Sequence, residues 1–220
     1  MKTVLRLIFC TFLSLEVAAQ TEAVVTYKTT THGGFSVMTT LQIKGSKSEY
    51  SKIQKQDKYT TSSGIEFFIY PDSYTWQYDS QTGIIKEQRK KHNYPLLRSE
   101  DTSEIEWEIL EDTKMMFGYK VQKAQTTSIF ESRVRPYGIA TAWFAIDLPY
   151  PTGPERYHSL PGLIMLVEFS EKPNEKYIFQ SIEFKEVDDF KELDEGLQVT
   201  YREIVNTHFI DKKWLKANSQ

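Results

Sequence analysis

Turn signals recur every eight to twelve residues along this chain, and the segments between them are short and alternate apolar with polar side chains. That rhythm is the signature of an antiparallel meander. Ala23 to Thr31 carries Val25 and Tyr27, Gly33-Gly34 turns into Phe35 to Lys44, and Gly45-Ser46 turns again into Glu49 to Gln54. Ile65 to Tyr70, Tyr74 to Tyr78 and Gly83 to Arg89 follow, separated by Pro71-Asp72-Ser73 and by Asp79 to Thr82. Those gaps hold residues that hydrogen-bond their own backbone in turns. Thirteen Tyr and thirteen Phe suit strands better than helices.

The N-terminus has a different character. Lys2 and Arg6 make a basic start, Val4 to Leu15 is an apolar run, and Val17, Ala18 and Ala19 supply small residues where a signal peptidase reads. The run is too short to cross a bilayer core, which needs roughly twenty residues. Residues 1–19 therefore read as a secretory signal cleaved near Ala19–Gln20, and the expected location is the periplasm or cell envelope. Cys10 sits inside the run, not at its end, which argues against a lipoprotein signal. Cleavage removes this single cysteine, so the mature chain has neither disulfides nor thiol chemistry. Residues 20–220 read as a single all-β domain: an antiparallel meander forming a curved open sheet or half-barrel, with little helix. A net charge of −3 with interspersed lysines offers no broad basic face, which argues against nucleic acid as a partner. No second apolar run approaches spanning length, so no transmembrane segment is expected in the mature chain.

Later segments refine the core. Ile105-Glu106-Trp107-Glu108-Ile109 places apolar side chains on one face and carboxylates on the other. Glu104, Glu106 and Glu108 stand at about 6.6 Å spacing, a row that suits a divalent cation or, more simply, a solvated face. Gly118 to Ala124 alternates in the same way, whereas Ile139 to Leu148 and Gly162 to Phe169 are apolar on both sides, as strands buried on both faces are. Lys176 to Val187 reads as a last long strand, bulged between Phe179 and Ile182 where the apolar phase slips. Helix is scarce: Asp188 to Glu195 is an acidic, short stretch whose helical character stays open, and Val199 to Lys216 reads as mixed strand and tail.

Between the two most apolar strands, residues 149, 151, 154 and 161 are all proline, with Gly153 beside them. Such a segment is neither strand nor helix, yet it is stiff. Tyr119-Lys120-Val121-Gln122-Lys123-Ala124, Ala142-Trp143-Phe144, Ile146-Asp147-Leu148-Pro149, Gly153-Pro154 and Ser159-Leu160-Pro161-Gly162-Leu163-Ile164 occur in that order. In this the chain resembles the GLPGLI family of exported bacterial proteins, specifically over 118–168. Ser159 stands where the family has glycine, which puts a positive-φ role at that position in question, and Val121 stands where many members carry cysteine. The resemblance implies export and a curved, partly open sheet; the family has no established activity. Lipoprotein carriers of similar shape hold acyl chains in the concave face, a fold-level analogy. In physical terms, Pro161 forces Leu160 extended, Gly162 permits close backbone approach, and Leu163 and Ile164 enter a buried strand.

Standard catalytic signatures are absent: there is no H-E-x-x-H, G-x-S-x-G, phosphate loop or paired cysteine. No cofactor or metal site is predicted, since the four histidines lie far apart in sequence. Glu155, Arg156 and His158 lie together in the proline-rich segment, an arrangement compatible with acid–base chemistry or with ordinary loop surface. Arg89-Lys90-Lys91-His92 reads as a solvated hairpin tip. The leading expectation is a non-enzymatic binding module for an apolar small molecule or a cell-envelope protein. Its candidate residues are Trp143, Pro149, Gly153, Pro154, Arg156, His158, Leu160, Pro161, Gly162, Leu163 and Ile164. The alternatives are docking on an outer-membrane or secretion complex through Pro149–Pro161, and a hydrolase.

Overall fold

The computed structural model describes residues 22–30, 36–54, 57–60, 64, 66–69, 72–90, 96–102, 105–126, 138–200 and 203–204. The signal segment with Cys10, the Gly33-Gly34 turn, Glu104 and Lys91-His92 lie outside them. Strands are β1 (Glu22–Thr30), β2 (Ser36–Lys44), β3 (Lys47–Gln54), β4 (Asp57–Thr60), β5 (Glu66–Ile69), β6 (Asp72–Asp79) and β7 (Ile84–Lys90). They continue as β8 (Leu97–Asp101), β9 (Trp107–Met116), β10 (Tyr119–Thr126), β11 (Ala140–Ala145), β12 (Leu163–Phe169), β13 (Lys176–Glu183) and β14 (Leu197–Gln198). Twelve strands form one sheet in the order 14-8-7-6-3-2-1-13-12-11-10-9, and β4 with β5 makes a separate hairpin. The two meanders, β1 to β8 and β9 to β13, are joined by antiparallel pairing of β1 with β13. The all-β open sheet expected from the turn rhythm is the architecture found.

Curvature is written in the bulges. In β13, Tyr27 pairs with Phe179 and Thr26 with Ser181, leaving Gln180 as the extra residue where the apolar phase slips. In β12, Trp143 pairs with Leu166 and Phe144 with Ile164, so Met165 is inserted. That insertion re-aims the strand, and Leu163, Ile164 and Met165 are all fully buried in succession. Ile85 on β7 and Val121 on β10 belong to one core with Val25, Tyr27, Leu41, Ile43, Tyr50 and Phe179. Strands near opposite ends of the sheet order thus share a core, so the sheet coils into a trough.

Several sequence expectations need correction. The last long strand, expected over Lys176 to Val187, ends at Glu183, and Arg89, expected in a solvated hairpin tip, lies in β7 with a largely buried side chain paired to Glu87. The strand expected from Ile105 begins at Trp107, and Ile109 is 48% exposed, because β9 is a sheet edge whose three residues 110–112 stand opposite Lys123 alone. Gly118 lies in a turn with Phe117 before β10. Ile139 to Leu148 is not buried on both faces: Ala140, Ala142 and Phe144 are, whereas Ile139 and Ile146 are exposed and Trp143 is half-buried. Among the described residues, the outer side of this arm has no covering element of the kind seen on the other arm.

That cover is residues 184–196, which run without regular secondary structure across the outer face of the β1–β8 arm. Long polar side chains hold it to the strands. Val187 N–H donates to Glu22 on β1 (2.6 Å), Lys44 on β2 donates to Val187 O (2.8 Å), and Gln77 on β6 donates to Lys191 O (2.6 Å). Lys86 on β7 pairs with Glu192 (2.9 Å) and Arg98 on β8 donates to Gly196 O (3.3 Å). β14 then pairs parallel with β8. Beyond it, Thr200 and Glu203 form a reciprocal capping box that opens a helical turn, which the reading of Val199 to Lys216 as strand and tail did not foresee. Its remainder lies outside the described residues.

Candidate functional site

The proline-rich connection between β11 and β12 folds inward and closes the trough. Its first turns follow from the prolines. Tyr150 N–H donates to Leu148 O and Thr152 N–H to Tyr150 O, each at 2.7 Å, with Pro149 and Pro151 as the central residues. Proline's fixed φ suits such three-residue turns. Tyr157 N–H closes a turn onto Pro154 O (3.1 Å), with Glu155 at φ 53° in a position that glycine usually fills. Gly153 packs on β12, where an added Cβ would lie 2.7 Å from Ile164 Cβ. Gly162 makes the close approach expected of it: an added Cβ would stand 2.1 Å from Ala145 O.

Side chains from across the sheet meet this loop. Tyr27 on β1 donates to Ile164 O (2.6 Å), and Thr152 bonds Ser48 on β3 (2.6 Å). His158 is 2% exposed and stacks on Tyr78 of β6, with ring centroids 3.9 Å apart, while Trp107 of β9 donates to His158 O (2.8 Å). The loop therefore touches β6 on one arm and the terminal strand β9 on the other. Arg156 reaches Asp101 on β8 (3.1 Å) and Glu87 on β7 (3.7 Å), and Arg89 pairs with the same Glu87. Lys52 lies 3.8 Å from Glu155. Glu87 is 1% exposed, an acidic residue on the interior face. Sequence reading missed this cluster, although Ile85-x-Glu87-x-Arg89 carried the signal: two charges in phase with a buried isoleucine.

Burial, with the Arg156 guanidinium adding to it, lowers the His158 imidazole to about 4. The ring is therefore neutral at pH 7. Its Nδ1 lies 2.7 Å from Ser159 Oγ, which also bonds Tyr78 (3.2 Å), and Ser159 adopts φ 68°. A base with so low a pKa abstracts protons poorly near neutrality. The geometry suits holding the loop, and serine here takes the backbone form for which the family motif has glycine. Burial also raises the Tyr177 phenol well above its ordinary value, with the Glu155 carboxylate beside it adding to this. Among the described residues, no group of three His, Cys, Asp or Glu is placed to hold a metal ion.

The expected site residues thus divide. Gly153, Pro154, His158, Leu160, Gly162, Leu163 and Ile164 are buried, Arg156 is half-buried, and Pro149 and Pro161 are exposed. Trp143 lies apart from the loop: half-buried and packed on one flank against the main core, it opens onto the outer face of the β9–β13 arm, where it lines a groove of about 490 Å³. Lys123 is its cross-strand partner on β10, and Lys114 on β9 places its ammonium 3.7 Å from the Trp143 ring centroid. The next row across the strands is Gln125, Thr141, Glu168 and Lys176, with Gln125 donating to Thr141 (3.0 Å) and Lys176 paired with Glu168 (2.5 Å). A second hollow of about 330 Å³ lies beneath the 184–196 segment, between Lys44, Lys86 and Phe190.

Fold and site define a coiled, open antiparallel sheet closed by its own loop, with a polar aromatic groove on its back. A protein-family model described as "Protein of unknown function (Porph_ging)" matches residues 133–166, which span β11, the loop and the start of β12. Two structures of PNGF-II share the fold. The one in a C2 crystal form has 14% identity and a TM-score of 0.50 over 76% of this chain, and the one in P21 has 13% and 0.51 over 77%. The chain spans only 28–29% of the length of PNGF-II. No curated protein matches the chain.

Proposed function

We propose that this protein is an exported, non-enzymatic binding module that recognises its ligand with the outer face around Trp143. The observation that carries this reading is where room exists: Tyr27, Tyr50, Met165 and Phe179 fill the trough, whereas the back of the β9–β13 arm has an open groove. The groove is shallow, but it combines an aromatic wall with a few placed polar groups, the pairing that fixes ligands at binding sites. Recurrence of the fold as less than a third of the longer PNGF-II chain is in keeping with a module. The basic–apolar–small order of residues 1–19 supports export. An acyl chain in the trough has less support, because side chains of the protein occupy that volume. So has docking through Pro149–Pro161, where only Pro149, Ser159 and Pro161 are exposed.

The test is site-specific photo-crosslinking in the native envelope. A photoreactive residue at Lys123 is expected to give a discrete adduct that the same probe at Glu195, on the opposite arm, does not. Identical adducts, or none at Lys123, would overturn the reading.

A further inference from the structure

Resting on that reading, we infer that the Trp143 groove binds an anionic saccharide. Three chemistries converge there. Trp143 is half-buried, so its ring is a fixed platform, and its negative π face attracts positively polarised groups. The ammonium of Lys114 over that face shows the attraction already at work. The C–H bonds of a sugar ring are polarised in the same sense and present a flat face of matching shape.

Beside the platform, Gln125, Thr141 and Glu168 lie side by side on neighbouring strands, all lining the groove. They offer an amide, a hydroxyl and a carboxylate in one row, mixing donors and acceptors. Ring hydroxyls donate and accept at once, so such a row suits a polyol better than a plain anion, which only accepts.

Charge supplies the third element. The groove has Lys114, Lys123 and Lys176 against Glu168 alone, in a chain of net charge −3. Lys176 is paired with Glu168, which leaves Lys114, its ammonium over the ring, and Lys123, cross-strand from Trp143 and lining the same groove. A carboxylate, sulfate or phosphate on the sugar meets both. In the bound state the ligand's anionic group draws Lys114 off the indole, and the sugar ring takes its place.

The test uses trigalacturonate, its neutral galactose trimer and inorganic phosphate as probes, with binding read by calorimetry. Trigalacturonate is expected to bind more tightly than either control and to weaken as salt is raised. Lys123→Ala and Lys114→Ala should each weaken it about tenfold, as loss of a hydrogen bond to a charged group does. Trp143→Leu should abolish binding, while Trp143→Phe, which preserves an aromatic face, should retain part of it. Thermal melts of each variant separate lost binding from lost folding. Equal binding of the neutral trimer, or of phosphate, overturns the inference. No binding of trigalacturonate overturns it as well, and if the Lys123 crosslink persists in the envelope, the module reading survives that failure; if the crosslink is also absent, both fall.

Discussion

Ser159 shows how one residue can hold a backbone form it does not favour. At φ 68° an L-residue costs roughly 1–2 kcal/mol over glycine, and hydrogen bonds from Ser159 Oγ to His158 and Tyr78 offset it. His158 in turn is held neutral by burial, with its pKa lowered to about 4 from an unfolded value near 6.5. The sign follows: the unfolded chain takes up a proton that the folded chain refuses, so stability is full above pH 6.5 and falls as pH drops toward 4. The loss is about 1.4 kcal/mol per pH unit and about 3 kcal/mol in total. His158→Gln should flatten that part of a stability–pH profile measured by urea unfolding. An unchanged slope would show that other groups set it.

At the scale of elements, the β11–β12 loop is pinned by charge as well as by packing. Arg156 and Arg89 share Glu87, whose side chain is almost completely buried, and Arg156 also holds Asp101. Removing one partner of a buried pair leaves an uncompensated charge, so Arg156→Met should cost about 3 kcal/mol in thermal or urea unfolding. Adding Glu87→Gln to that variant should recover part of the loss, because the buried carboxylate is then gone. A cost under about 0.5 kcal/mol would mean the clamp is solvated, as surface pairs are.

At the scale of the molecule, the twelve-stranded open sheet formed by the described residues has two edges to protect. One ends on the short β14, which pairs parallel with β8. The other is β9, ten residues long, whose backbone pairing is broken by residues 110–112 and whose Glu108, Glu111, Asp112 and Lys114 are exposed. Irregular pairing and charge are how natural edges avoid joining other strands. Glu108→Val with Asp112→Val should therefore shift sedimentation velocity profiles toward larger species relative to the unsubstituted chain. An identical profile would place the protection in the bulge alone.

Much of the fold was legible in local pattern. Alternation and turn residues located most strands, the apolar phase slip near Gln180 located a bulge, and Gly162 announced a close backbone approach. These are short-range signals, written within a few residues of the feature they specify. The candidate site was legible only in part. Trp143 was among the residues singled out, but neither its outward aim nor its lysine neighbours followed from local spacing, because Lys114 and Lys123 come from other strands. The clamp on Glu87 and the polar-anchored 184–196 segment were missed for the same reason: their partners lie tens to more than a hundred residues apart. By itself, then, the sequence determined a curved antiparallel sheet with a stiff proline-rich connection, since side-chain period and proline geometry act locally. Only the tertiary structure decided that this connection fills the trough and that the open surface is the back of the sheet, because coiling of the sheet brings its distant arms onto one core.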